Sequence, residues 1–370
     1  MKQDANKITK IVIYGLFIFF IIVLIIYGII YKFPKVIDET VTRVEKEVTV
    51  TDVGIADAVE KVYDKVVVIT TYKNGNIYSG GSGFIYMSED NKSYIITNSH
   101  VISGGDSYKI KYTDGVEAEG TIVGSDEYTD IAVIKVEEKE GYEAVEIGKS
   151  EEMRVGDTTF TVGAPLDNTY SWTVTRGILS GKDRLVEMSL TNEIGGEYIM
   201  NVLQTDSAVN SGNSGGPLCN SNGEVVGVIN AKISTTGVEG IGFAIPIEVA
   251  KEKAEQIING TKSEYPYLGI SMINVSSAMS YPQYNGFLVE NKITSGVIVI
   301  DVEKNSAAEK GGIEANDIII AINKKEIENR AYLRYELYKY EVGDSINVKV
   351  LRNGKEKELT IKLETSNKSI

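Results

Sequence analysis

Three short segments hold residue types that together could perform acyl transfer. Gly212-Asn213-Ser214-Gly215-Gly216-Pro217-Leu218 sets a serine among glycines. A serine hydroxyl is a poor nucleophile until a base removes its proton, and the oxyanion that develops needs donors held still in a dry pocket. Glycines allow the tight turn that aims amides at one point, so the amides of Gly212 and Ser214 are the expected oxyanion hole. Ile95-Ile96-Thr97-Asn98-Ser99-His100-Val101 puts the only histidine of the chain just past an apolar strand. A rigid strand end suits a general base, and any imidazole chemistry near neutral pH falls to His100. Thr129-Asp130-Ile131-Ala132-Val133-Ile134 leads an aspartate into an apolar strand. A half-buried carboxylate there must find a partner, such as the Nδ1 proton of an imidazole. Asp126 competes for that place. Taken singly, each segment also reads as ordinary structure: a loop, an incidental histidine, a turn-capping aspartate.

Composition narrows the chemistry. One cysteine excludes an intramolecular disulfide and a cysteine-based metal site, and one histidine excludes the two-histidine metal motifs, so no metal is expected. Cys219, beside Leu218, reads as a small buried hydrophobe. The net charge of −14 hides an asymmetry, since Met1 to Lys35 carries about +4 and the remainder about −18. An acidic surface disfavours nucleic acid, whose phosphates attract basic faces. With 370 residues, 42% hydrophobic and 24% charged, the chain can bury a full core, and 36 glycines against 6 prolines suit a β-rich fold with many turns.

The elements that must position these residues follow from patterning. Ile11 to Tyr31 is free of charge, 21 residues that span the hydrocarbon layer at about 1.5 Å each. It ends without a small-x-small cleavage site, so an uncleaved anchor is expected. Lys2, Lys7 and Lys10 before it favour a cytoplasmic N-terminus, with the bulk of the chain outside. Ile37, Val41, Val44 and Val48 sit at coiled-coil spacing within what reads as an extended spacer. After a short helix from Ile55 to Tyr63, strand-like runs recur from Val66 to Ala231, which predicts a barrel or sandwich. A helix from Pro246 to Ile258 closes this region. The last hundred residues form a small α+β module: a capping box at Ser306-Ala307-Ala308-Glu309, a helix from Arg330 to Tyr340, and a hairpin through Asn353-Gly354.

Together the segments resemble the HtrA/DegP/DegS family of chymotrypsin-like serine proteases, in the chain order His, Asp, Ser. Thr205-Asp206-Ser207-Ala208-Val209-Asn210 and Gly240-Ile241-Gly242-Phe243-Ala244-Ile245-Pro246 add to the likeness, which extends from Ile55 to the C-terminus because the last module looks like a PDZ domain. The resemblance implies a mainly β fold: a double β-barrel protease domain followed by an α+β PDZ domain, after an N-terminal transmembrane helix. The corresponding divisions are a cytoplasmic stretch 1–10, transmembrane helix 11–31, linker 32–54, protease 55–260, linker 261–265 and PDZ domain 266–366. It implies Ser214 as nucleophile, His100 as base and then acid, Asp130 as the group orienting the imidazolium, and no cofactor. It implies a substrate pocket lined by Ala208, Val209, Ala231 and Ile233, with no acid at its floor and Lys232 nearby, hence cleavage after small or medium aliphatic residues. Arg184 matches a regulatory arginine of relatives, and Tyr267-Leu268-Gly269-Ile270 a carboxylate-binding loop for peptide C-termini. Implied partners are unfolded or damaged proteins and two further copies of the chain in a homotrimer; the implied setting is a single-pass cell-membrane protein working in quality control or stress response. The rival reading is a PDZ receptor or chaperone with a locked barrel.

Overall fold

The computed structural model describes residues 10–28, 54–137, 142–164, 170–188, 198–231, 240–261 and 264–365. Two units are distinct, Met1–Asp52 and Val53–Ile370. In the first, α1 (Lys10–Gly28) is a 19-residue apolar helix long enough to cross a membrane. Its described part runs from Lys10 to Gly28; residues 29–31 of the expected span and the spacer with Ile37, Val41, Val44 and Val48 lie outside the described residues.

The second unit opens with α2 (Gly54–Tyr63) and then closes two six-stranded antiparallel barrels. The first contains β1 (Val66–Lys73), β2 (Asn76–Glu89), β3 (Lys92–Thr97), β4 (Ser107–Lys111), β5 (Glu117–Asp126) and β6 (Ile131–Glu137), ordered β1-β2-β3-β6-β5-β4 and closed by β4 on β1; the four-residue helix α3 (Ser99–Ile102) follows β3. The second contains β7 (Thr158–Gly163), β8 (Thr173–Met188), β9 (Tyr198–Thr205), β10 (Pro217–Asn220), β11 (Val225–Ile229) and β12 (Gly242–Pro246), ordered β10-β11-β12-β9-β8-β7 and closed by β10 on β7. Closure removes every free strand edge. β5 was not evident from patterning because its inward positions include glycine: a Cβ on Gly120 would come 2.7 Å from Ile134 Cγ2.

One apolar cluster runs through both barrels. Val66, Phe84, Ile96 and Val133 of the first meet Phe160, Val162, Val202 and Val228 of the second. α2 contributes Ala58 and Val62, and α4 (Ile247–Ile258) contributes Ala250 and Ala254. Pro246 is the N-cap of α4 rather than its first residue. This shared core fixes the strand ends of one barrel against the loops of the other, which is where the three chemical segments lie.

The C-terminal module pairs β13 (Ile270–Asn274), β14 (Val297–Val302), β15 (Ile318–Ile322), β17 (Ser345–Arg352) and β18 (Lys355–Lys362) in that order, with β16 (Lys325–Glu326) on β15 and β13 at the edge. The expected capping box forms at α7 (Ala307–Gly311): Ser306 Oγ accepts from Glu309 N at 3.2 Å, and Gly312 turns left-handed at φ 82°. The Glu309 carboxylate accepts from Asn305 N rather than from the capping residue itself. α8 (Arg330–Leu337) is three residues shorter than expected and is capped by Asn329, whose Oδ1 accepts from Ala331 N and Tyr332 N. Two helices that patterning did not show, α5 (Val275–Ala278) and α6 (Pro282–Glu290), sit between β13 and β14 around a second small core of Val275, Ala278, Leu288 and Ile298.

Candidate active site

His100 lies in α3, directly after β3, and Asp130 ends the turn that enters β6, the strand hydrogen-bonded to β3. That pairing brings the two side chains together: His100 Nδ1 lies 2.7 Å from Asp130 Oδ2, and the backbone N–H of His100 donates to Asp130 Oδ1 at 2.9 Å. The Asp130 carbonyl accepts from Ser99 N at 3.1 Å and from Asn98 Nδ2 at 3.0 Å. Asp130 itself is left-handed, at φ 53°, an uncommon conformation for a residue with a Cβ. Five hydrogen bonds on one residue over-determine it, as such strain requires; the fifth comes from Asn230 Nδ2 to Oδ2 at 2.8 Å. With its Nδ1 proton directed at the carboxylate, the imidazole of His100 leaves Nε2 as acceptor.

Asp126, the competitor, faces elsewhere. Its Oδ1 accepts from Thr129 N at 2.8 Å and Thr129 Oγ1 at 3.0 Å, and its Oδ2 from Tyr265 OH at 2.7 Å, with Lys253 Nζ at 3.4 Å. It is therefore the cap of the turn that delivers Asp130.

Ser214 sits in the loop before β10, almost wholly buried. The loop is laced into the barrels by its backbone: Gly215 N donates to Ile229 O at 2.9 Å, Gly216 N to Asn213 O at 3.0 Å, and Asn213 N to Asn210 O at 3.0 Å. Gly212 and Gly215 are left-handed, at φ 100° and 84°. A Cβ on Gly215 would come 2.2 Å from both Ser82 O and Thr97 Oγ1, so glycine is required there twice over. Ser214 Oγ accepts from Ala231 N at 3.3 Å.

Two positioning residues escaped the sequence reading. Ser82 in β2 donates its N–H to Ser214 O at 2.8 Å, donates Oγ–H to Gly212 O at 2.7 Å and accepts from Ala164 N at 3.0 Å. One residue, through its backbone N–H and its hydroxyl, thus ties the first barrel to both expected oxyanion-hole residues. Its signal was the run Gly80-Gly81-Ser82-Gly83, since a Cβ on Gly81 would lie 3.0 Å from Ser214 O. Asn230, fully buried at the end of β11, carried no signal beyond being a polar residue after Val228-Ile229.

Of the expected pocket residues, Ala208 is exposed, its carbonyl accepting from Thr175 Oγ1 at 2.9 Å. Val209 is half-buried against Leu179, Leu203 and Leu218, and Ala231 N meets Ser214. Lys232 and Ile233 lie outside the described residues. Arg184 is exposed on β8 and donates from Nε to Gln204 Oε1 at 3.1 Å. Cys219 is fully buried, and burial pushes its thiol well above the ordinary range, which removes it as a nucleophile. Among the described residues no cluster of His, Cys, Asp and Glu is arranged to hold a metal ion.

In the C-terminal module, Tyr267 pairs with Glu364, donating N–H at 2.8 Å, and Gly269 is left-handed at φ 78°, where a Cβ would come 2.3 Å from Ser306 Cβ. Leu268 O accepts from Ala308 N at 2.9 Å. The loop Tyr267-Leu268-Gly269-Ile270 is thereby held at the start of β13, whose outer edge pairs with no strand among the described residues and which is in contact with α8.

Family models match on both parts: a trypsin-like peptidase domain over residues 81–228 and a PDZ domain over 266–363. The chain is 38% identical over 326 residues to the serine protease Do-like HtrB of Bacillus subtilis (strain 168), covering 84% of this chain and 70% of that protein. The chain belongs to the HtrA-type serine proteases. This is a family of serine endopeptidases, hydrolases with a trypsin-like domain and a PDZ domain. The serine protease Do-like HtrA of the same organism is 44% identical over 286 residues, 77% of this chain and 63% of that protein, just under two thirds of its length. A solved HtrA-type protease, AlgW with a decapeptide, superposes with a TM-score of 0.64 at 28% identity, covering 85% of this chain and 99% of that one. The HtrA-type architecture accounts for both closed barrels and for the separate five-strand path of the PDZ module.

Proposed function

We propose that this chain is a membrane-tethered endopeptidase that cleaves unfolded or mislocalised proteins outside the cytoplasm, under control of peptide binding to its PDZ domain. The observation that carries the reading is the 2.7 Å contact of the only histidine, His100, with Asp130, on the strand end opposite the Ser214 loop.

In this reading Ser214 Oγ attacks the scissile carbonyl while His100 Nε2 takes its proton, and Asp130 holds the imidazole in the required tautomer and stabilises the imidazolium. The amides of Gly212 and Ser214 donate to the tetrahedral oxyanion. His100 returns the proton to the departing amine, leaving an acyl-enzyme at Ser214, and a water activated by the same imidazole releases the second product. Hydrogen bonds between nucleophile and base commonly tighten only with substrate present, and Ser214 Oγ, which accepts from Ala231 N, keeps its own proton to donate to His100. In this reading Ala208, Val209 and Ala231 line the substrate pocket, giving cleavage after aliphatic residues. The outer edge of β13 takes a peptide as an added strand while the Tyr267-Leu268-Gly269-Ile270 amides hold its terminal carboxylate. Arg184 joins that occupancy to the protease loops. α1 anchors the chain with its N-terminus in the cytoplasm, and three copies associate through their protease domains.

The test is degradation of casein by the purified full chain and by Ser214→Ala, with and without peptides ending in hydrophobic residues. Loss of cleavage in the variant and stimulation by peptide are the expected results; equal cleavage by both proteins would sink the nucleophile assignment. A second reading is a PDZ receptor or chaperone with a locked barrel, in which the bond from Ala231 N holds Ser214 Oγ in a resting orientation. It predicts no cleavage under any condition and no labelling of Ser214 by a serine-directed covalent probe.

A further inference from the structure

Asp126 reaches further than its own turn. One oxygen caps Thr129, next to the left-handed Asp130; the other takes the hydroxyl of Tyr265, which lies in the segment between α4 and the PDZ module. Lys253 Nζ of α4 lies 3.3 Å from that hydroxyl and 5.2 Å from the Tyr265 ring centre. The Tyr265 ring meets Tyr128 of the same turn at 4.9 Å and Tyr338 at 4.6 Å; Tyr128 and Tyr338 are 5.1 Å apart. Tyr338 is the C-cap of α8, and Tyr128 also meets Tyr198 of β9 edge-on at 6.0 Å. At the other end of α8, Asn329 Nδ2 donates to Glu187 Oε1 of β8 at 2.7 Å. Burial, followed by the Asp126 carboxylate, raises the Tyr265 phenol well above its ordinary value, so its hydroxyl stays a donor.

We propose that Tyr265 is a positioning residue for peptide hydrolysis: through Asp126 it fixes the turn that presents Asp130 to His100, and its ring contact with Tyr338 makes that support depend on where the PDZ helix α8 sits. A left-handed residue persists only where its surroundings over-determine it, and a reactive group is only as rigid as the shell behind it. The Thr129 cap is that shell for Asp130, and the Tyr265 hydroxyl orients the cap. The three tyrosines are the packed contact through which α8 reaches it. The inference rests on the role given above to Asp130.

Tyr265→Phe removes one hydroxyl and keeps the ring, so it separates orientation from packing. In the full chain in detergent, Tyr265→Phe lowers kcat for fluorescent casein by roughly threefold to tenfold, the worth of one hydrogen bond, with KM unchanged and the melting temperature lowered by no more than about 4 °C. In an Asp130→Asn background the same substitution has no further effect on the residual rate, because the residue it acts through is gone. An equal fall in both backgrounds, or no fall in the wild-type background, overturns the proposal. Because His100 is the only histidine, histidine labelled with ¹⁵N in the ring alone gives a single Nδ1–H signal. Exchange of that proton with water accelerates severalfold in Tyr265→Phe and in Asp126→Asn. Unchanged exchange in both variants would also overturn it. That readout needs no turnover: a wild-type chain that cleaves nothing would reject the protease reading, while the exchange rates would still decide the role of Tyr265.

Discussion

Asn230 Nδ2 donates to Asp130 Oδ2 at 2.8 Å, so the oxygen that faces His100 Nδ1 at 2.7 Å is held from two sides. Asn230 is fully buried, and its own Oδ1 has no hydrogen-bond partner among the described residues. Asn230→Ala therefore frees Asp130 to rotate and leaves a small void. The expected loss in kcat is roughly tenfold to hundredfold, the range for a hydrogen bond to a charged group. Asn230→Asp is expected to be worse near neutral pH, because two carboxylates at that distance cannot both stay charged without repulsion. Steady-state hydrolysis of labelled casein by both variants checks the order.

Ser214→Ala deletes one oxygen and leaves the backbone hydrogen bonds of its loop in place. Cleavage is expected to fall by roughly five orders of magnitude or more. The thermal unfolding midpoint should stay within about 2 °C of wild type. A large drop in that midpoint would show that the hydroxyl serves the fold as well as the chemistry.

Gly215→Ala tests the loop that presents the serine. Its new methyl would meet two oxygens at 2.2 Å from a left-handed backbone, so the loop must move or unfold. The expected destabilisation is about 3 kcal/mol or more, read from urea unfolding. Gly240→Ala makes a useful contrast: it shares a positive φ of 77° but no atom of the described residues lies within 4 Å of its Cβ position, so it should lose only about 1–2 kcal/mol.

Asp126 gives the fold an acid-sensitive contact. Burial by itself would raise its pKa and is the largest single influence, but the Thr129 N–H, the Lys253 charge and the Tyr265 hydroxyl together bring it below the ordinary 3.8. A carboxyl lowered on folding stabilises the native state above its unfolded pKa and loses that effect as pH falls through the folded value. Wild type should therefore exceed Asp126→Asn in stability by about 1–3 kcal/mol at pH 7, with the gap closing below about pH 4. Chemical unfolding of both proteins from pH 7 to pH 3 measures it. A gap that stays constant down to pH 3 would show that the Asp126 charge contributes nothing.

Much of the architecture was legible because its signals are local. The charge-free run that became α1, the capping box of α7 and the Asn353-Gly354 turn each depend on neighbours in sequence, and each formed within a few residues of the expected place. The ends were less legible. α8 stops at Leu337 because Tyr338 turns into the tyrosine cluster, a contact between residues more than 70 positions apart. β5 was hidden because Gly120 and Gly124 fill places where Ile134 and Ile257 leave no room for a side chain, a constraint that exists only once the barrel is closed.

The sequence by itself determined the chemical inventory: one histidine, one cysteine, and a serine set among glycines. It determined the order of the segments as well, because residue type and spacing are covalent properties. Which aspartate faces His100 was decided by tertiary structure. Pairing of β3 with β6 puts Asp130 under the imidazole and turns Asp126 toward Tyr265. The same holds for Ser82 and Asn230, whose partners lie about 130 and 100 residues away. A hydrogen bond depends on distances of about 3 Å between atoms, and only the closed barrels set those distances.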